Sequence, residues 1–200
     1  MPKIVDHEQM RKRIAESAWS IIEAKGIEHA SIRAVAAAAG LSPGALRHYF
    51  QTQDELLLFI VDYYLTREAA ARAEGLEISP IPMKAAKEVL LELLPMTREK
   101  RTGVGVWWIF AIRSLTSSAL QAKKDELTDG LHGLTRAVLD ILAKAELLPA
   151  SVDVELETYR LAAVVEGLTI LALLRSEIYT TENIERIVTL HIRELCARQG

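Results

Sequence analysis

Apolar residues recur at intervals of three and four along the first part of the chain. Ile14, Ala18, Ile21 and Ile22, widened by Ala15 and Trp19, predict an amphipathic helix over about 8–25, and Gly26 supplies its stop. Ser31 is a good N-cap for a second helix of about two turns, in which Ile32, Val35, Ala36 and Ala39 line one face until Gly40. In the next ten residues, LSPGALRHYF (41–50), Ser42 is another N-cap and Pro43 takes the first helical position, where a missing N–H costs nothing. At about 100° per residue from Leu46, Tyr49 and Phe50 fall on the buried side. Gly44 and His48 fall opposite, flanked by Ala45 and Arg47.

Farther along, Thr52 and Glu55 form a capping box that opens a long helix through Leu56, Leu57, Ile60 and Tyr64 to about Glu74. Pro80 and Pro82 lie in a break before a helix over about 83–94. Pro95 and Thr97 to Arg101 are expected as a polar turn before the segment GVWWIFAIRSL, and a further helix is expected over about 120–145. Residues 161–174 are apolar nearly all round, interrupted by Glu166, Gly167 and Thr169, which implies contacts on more than one side. The last helix has a clear stripe of Ile184, Ile187, Val188, His191, Ile192 and Leu195. The pattern is all-α: an N-terminal three-helix domain over 1–54, then a larger helical domain over 55–200.

Composition narrows the classes of function. The single Cys196 cannot form an internal disulfide, and an inert thiol in a reducing compartment is the expectation. The apolar run at 161–174 is shorter than the roughly 20 residues needed to span a bilayer and carries Glu166, so a soluble, cytoplasmic protein without membrane attachment is expected. The net charge is −3, but residues 1–53 carry seven Lys and Arg against five acids, leaving the acidic excess to the rest. The five histidines, His7, His29, His48, His132 and His191, lack metal-ligand spacing; with no Gly-rich phosphate loop and no nucleophile–base grouping, neither an enzyme nor a cofactor is expected.

A short helix, a tight turn with Gly40 and a second short helix form a helix-turn-helix at about 31–50. The second helix would enter the DNA major groove, where Gly44 and Ala45 permit close approach and Arg47 and His48 can read base edges or phosphates. Tyr49 either holds a phosphate or simply packs beside Leu46. A helical adaptor that binds another protein through 161–195 is the competing reading, and it makes Arg47 and His48 dispensable.

The segment ASIRAVAAAAGLSPGALRHYFQTQDELL, residues 30–57, resembles the signature of the TetR family of bacterial repressors, and the similarity extends over about 8–65. The resemblance implies a DNA-binding transcriptional regulator acting as a homodimer on a palindromic operator and released by a small-molecule effector. It implies phosphate contacts at Ser31, Ser42 and Tyr49, with Arg33 beside them, and base contacts along Pro43, Gly44, Ala45, Arg47 and His48. A lysine common in the family just after the Tyr-Phe pair is replaced here by Gln53, which puts one phosphate contact in question. Residues 93–110, LLPMTREKR followed by VWWIF, also resemble the BetI-type branch.

For the effector, Trp107, Trp108 and Phe110 are either core or part of a pocket with Tyr63, Tyr64, Met96 or Arg113. A cage of such rings would hold a quaternary ammonium by cation–π attraction. Glu166 is a second pocket candidate or an interface carboxylate paired with an arginine. Leu161, Val165, Leu168 and Ala172, with Ile184, Ile187, Val188 and Ile192, are expected to form a four-helix dimer interface, with one intrachain core as the alternative.

Overall fold

The computed structural model describes residues 7–75 and 78–197. Among these, nine α-helices occur in the order α1 (His7–Lys25), α2 (Ile32–Ala38), α3 (Pro43–Arg47), α4 (Gln53–Gly75), α5 (Pro82–Glu92), α6 (Arg98–Ser114), α7 (Ser118–Lys144), α8 (Val154–Leu174) and α9 (Thr181–Ala197). A 3-10 turn at Ile27–His29 separates α1 from α2, and no strand is present among the described residues. The all-α expectation holds.

Two compact units form. One joins the chain up to Glu74 with Gly105–Lys123; the other joins Gly75–Val104 with the chain from Lys124 onward. The boundary expected at 54/55 therefore falls inside the first turn of α4, which stays with the N-terminal helices. The reason is that α4 buries its own apolar residues there: Leu56, Leu57, Ile60 and Val61 are all at most 5 % exposed, and Tyr64 stacks on Trp19 of α1 with ring centroids 5.0 Å apart.

The expected polar turn at Thr97–Arg101 is instead the start of α6. Thr97 caps it, accepting the Lys100 N–H at 3.2 Å, and Lys100 pairs with Glu92 at 2.7 Å. Arg101 donates to the Ala172 carbonyl at 3.2 Å, among the final carbonyls of α8 that lack helical partners. Charged residues in a helical first turn look like a loop when only hydropathy is read.

The second unit also corrects the expected dimer interface. Leu161, Val165, Leu168, Ala172, Ile184, Val188 and Ile192 are 0–5 % exposed within one chain, where they form a single core with Leu90, Leu94, Leu139 and Leu142. Burying each large side chain contributes about 1.5–3 kcal/mol, so withdrawing them to face a second copy would cost the protomer its core. Of the eight, only Ile187, at 37 %, faces outward. The opposite face of α8 is apolar too: Leu156, Ala163 and Leu174 are exposed, with Gly167 and Ile170 half-buried between them. A Cβ added at Gly167 would meet nothing within 4 Å. On α9, Leu190 is 56 % exposed beside Ile187.

Candidate nucleic-acid interface

The helix-turn-helix is built by its caps. Ser31 accepts the Ala34 N–H at 3.2 Å, and Ser42 accepts the Ala45 N–H at 3.1 Å. Each hydroxyl accepts in its cap and keeps its own proton to donate, so both exposed serines remain competent phosphate donors. Between them α2 ends in a Schellman turn: the Leu41 N–H donates to the Ala36 carbonyl at 2.8 Å and the Gly40 N–H to the Ala37 carbonyl at 3.1 Å. Gly40 has φ +64°, and the Arg13 guanidinium lies across it.

The reading helix α3 is shorter than the ten-residue pattern implies. His48 is its C-cap, and the Tyr49 and Phe50 N–H groups both donate to the Leu46 carbonyl, at 2.9 and 3.0 Å. Leu46 is fully buried and Phe50 is 3 % exposed, anchoring the two ends of this turn. Ser42, Pro43, Gly44, Arg47 and His48 are exposed, as are Ser31 and Arg33 on the neighbouring helix, and Ala45 is half-buried. The expected DNA-facing residues are thus accessible, apart from half-buried Ala45 and Tyr49. Tyr49 is half-buried, and its hydroxyl lies 3.4 Å from His7 Nδ1 of α1.

Gln53, where the family commonly has a lysine, is engaged within the protein. Its amide donates to the Ala30 carbonyl at 2.9 Å and accepts the Ile32 N–H at 3.3 Å, tying the start of α4 to the start of α2. The capping box closes with a shift of one residue: Glu55 N–H donates to Thr52 Oγ1 at 3.1 Å, and the Glu55 carboxylate accepts the Gln51 N–H at 2.6 Å.

Asp54, next in the chain, was not singled out by sequence, yet it anchors the α6–α7 corner. Ser117 donates to it at 2.6 Å, and Arg113 pairs with its other oxygen. The Ser117 hydrogen bond and the Arg113 cation hold its carboxyl below the ordinary aspartate value, against a smaller opposing effect of burial. A depressed folded-state pKa stabilises the fold above the ordinary aspartate range, and that contribution disappears as pH falls through the folded-state value. Asp54→Asn is therefore expected to lower stability by about 1 kcal/mol at pH 7, discounted because Arg113 is half exposed. In urea melts from pH 7 to 2, the difference between variant and wild type should vanish at the acid end; a constant difference would refute the ionic account.

Of the eight residues expected around an effector, Tyr63, Tyr64, Trp107, Trp108, Phe110 and Arg113 belong to the first unit and Met96 and Glu166 to the second. Tyr64 is stacked on Trp19, Tyr63 lies under the Arg67 guanidinium at 5.7 Å, and Arg113 is held by Asp54. Phe110 is fully buried, with half-buried Trp107 against it at 5.8 Å between centroids, and Trp108 is also half-buried. Met96 packs on the core of the second unit, where half-buried Glu166 lies on α8. Cys196 is a free thiol whose pKa is pushed up by burial, consistent with an inert side chain. Among the described residues, no helix is long and apolar enough to cross a membrane.

A capped helix-turn-helix with an accessible reading face, followed by a larger helical region, defines a DNA-binding regulator. The N-terminal residues 14–60 match the family model for bacterial regulatory proteins of the tetR family, and residues 82–197 match that for the C-terminal region of BetI-type transcriptional repressors. The chain is 36 % identical over 199 residues to the HTH-type transcriptional regulator PksA of Bacillus subtilis (strain 168), covering 98 % of this chain and 94 % of that one. It belongs to the TetR family of transcriptional regulators, which are not enzymes. Solved structures share the fold: a transcriptional regulator from Rhodococcus sp. Rha1 (26 % identity, TM-score 0.77, 92 % of this chain and 95 % of that one) is one. Another is a regulator from Saccharomonospora viridis solved in complex with choline (19 % identity, TM-score 0.76, 94 % and 97 %). Family membership sets aside the adaptor reading.

Proposed function

We propose that this protein is a ligand-responsive repressor that binds a palindromic operator as a homodimer and leaves it when a small molecule binds the region carrying α6. The observation that carries the reading is the exposed face of α3, where Gly44 and Ala45 thin the helix beside Arg47 and His48. A two-fold operator asks for two such helices about 34–36 Å apart. The outward apolar stripe of α8 and α9, rather than the buried one, is suited to bury a second copy.

An effector acts through its differential affinity for the DNA-competent and released states. A short route leads from α6 to the reading helix. Arg113 and Ser117 hold Asp54, and adjacent Gln53 holds the start of α2. Displacing the α6–α7 corner would pull on the residue that fixes the helix-turn-helix. For the effector, the half-buried indoles of Trp107 and Trp108 suit a quaternary ammonium, and the choline complex of the Saccharomonospora regulator favours the same class.

The test is a titration of DNA recovered from the genome by the wild-type protein against random duplex, with and without choline. Arg47→Ala and His48→Ala are expected to weaken operator binding about 5- to 100-fold each, with a much smaller effect on random DNA. Equal losses on both DNAs would assign these side chains to phosphates instead. Choline should release the operator and quench tryptophan emission; release by another compound class alone would replace the quaternary-ammonium reading.

A further inference from the structure

We infer that the first turns of α1 extend the DNA interface beyond the helix-turn-helix: His7 and Arg11, with the Tyr49 hydroxyl, form a phosphate-binding flank at the end of the reading helix. This rests on the DNA-binding face described above, and it assigns two residues that the motif does not contain.

His7 and Arg11 are four residues apart on α1, so they occupy the same helical face, one turn apart. Both are exposed. Each is fixed to the Tyr49-Phe50 pair that terminates α3. The His7 ring lies 6.0 Å from the Tyr49 ring, with Nδ1 3.4 Å from the hydroxyl. The Arg11 guanidinium carbon lies 5.7 Å from the Phe50 centroid and 4.7 Å from that of Phe59, whose rings are themselves 4.8 Å apart.

Stacking uses the flat face of a guanidinium and leaves its in-plane N–H groups for hydrogen bonding. Arg11 is therefore a cation pre-positioned on a buried aromatic residue that directly follows Tyr49, and its ordering cost is partly met before DNA arrives. An imidazole N–H beside a phenol O–H, with a guanidinium one helical turn further along α1, matches the oxygens of a backbone phosphate. Contacts of this kind go to the sugar-phosphate backbone rather than to base edges, so the flank should contribute affinity without reading sequence.

The experiment measures binding of the full-length protein to a random-sequence duplex and to its recovered genomic DNA between 50 and 200 mM salt. For Arg11→Ala, log K should fall less steeply with log salt, by about 0.9 for each protomer bound. The fourfold rise in salt then costs the variant about 3-fold less affinity per protomer than it costs wild type. Losses should be equal on the two DNAs. His7→Ala and Tyr49→Phe should weaken both DNAs in the same proportion, and Arg11→Lys should restore the salt slope while leaving the melting temperature lowered. An unchanged slope in Arg11→Ala with only a lower melting temperature would make the arginine a packing residue and overturn the inference. Absence of any salt-dependent binding by wild type would overturn the DNA-binding reading beneath it.

Discussion

Gly40→Val is expected to cost the N-terminal unit at least about 2 kcal/mol, while Gly44→Ala, four residues away, is expected to stabilise it and impair DNA binding. The two glycines differ in why they are there. Gly40 sits at φ +64°, where an L-residue pays about 1–2 kcal/mol and a β-branched one more. A Cβ there would also lie 2.5 Å from an Arg13 nitrogen, so the end of the arginine side chain must shift. The Schellman bonds from Gly40 and Leu41 to Ala37 and Ala36 depend on that backbone, and they aim the chain into α3.

Gly44 has no such need. It lies inside α3, and a Cβ would meet only Ser42 Oγ at 3.9 Å, an ordinary contact. Alanine there should gain about 0.5–1 kcal/mol from helix propensity. Its methyl would then stand on the face meant to approach the groove. Thermal melts should separate the pair by sign, and operator affinity should fall in both. Gly44→Ala with unchanged operator affinity would show that α3 does not approach DNA on the Gly44 side.

These local features were legible in the chain because they are local. Ser31, Ser42, Pro43, Gly40 and the Thr52–Glu55 pair act within a few residues of themselves, and capping rules place them without tertiary information. The spacing of apolar residues located α1, α4, α7 and α9 for the same reason, whereas of α8 (Val154–Leu174) only the apolar run 161–174 was legible. What it cannot decide is which of two apolar faces a helix turns inward. On α8 both faces are apolar, so Leu161 and Val165 were as eligible for an interface as Leu156 and Leu174; only the packing of α5, α7 and α9 settles which face is core. Long-range polar contacts are equally silent in sequence. The Gln53 bridge to Ala30 and Ile32, the Asp54 pairing with Arg113 and Ser117, and the Arg11 stacking on Phe59 join residues with no shared spacing rule. The partner of Tyr64 is silent for the same reason, because adjacency on a helix does not reveal that its ring stacks on Trp19.

Gly167→Arg should give a folded monomer that has lost at least about 100-fold in operator affinity. Gly167 lies on the outward face of α8, one turn from exposed Ala163 and from Ile170, with open space where its side chain would be. A single protomer therefore tolerates the arginine, and replacing a mid-helix glycine should not lower its melting temperature. A second copy packed on that stripe would meet a long cation within an apolar contact, and burying it without a partner is costly. Dimerisation makes the second half-site contact intramolecular, at an effective concentration of about millimolar, so avidity adds roughly 10²–10⁴ to binding. Losing the dimer removes that factor for the palindrome and leaves an isolated half-site duplex bound as before. Sedimentation and anisotropy on both duplexes would read this directly. Leu161→Ala is the complementary variant: on the inner face, 1 % exposed, it should cost about 2–5 kcal/mol of stability through the cavity it leaves. If Gly167→Arg remained dimeric, the second copy would have to sit elsewhere than on the outward stripe of α8.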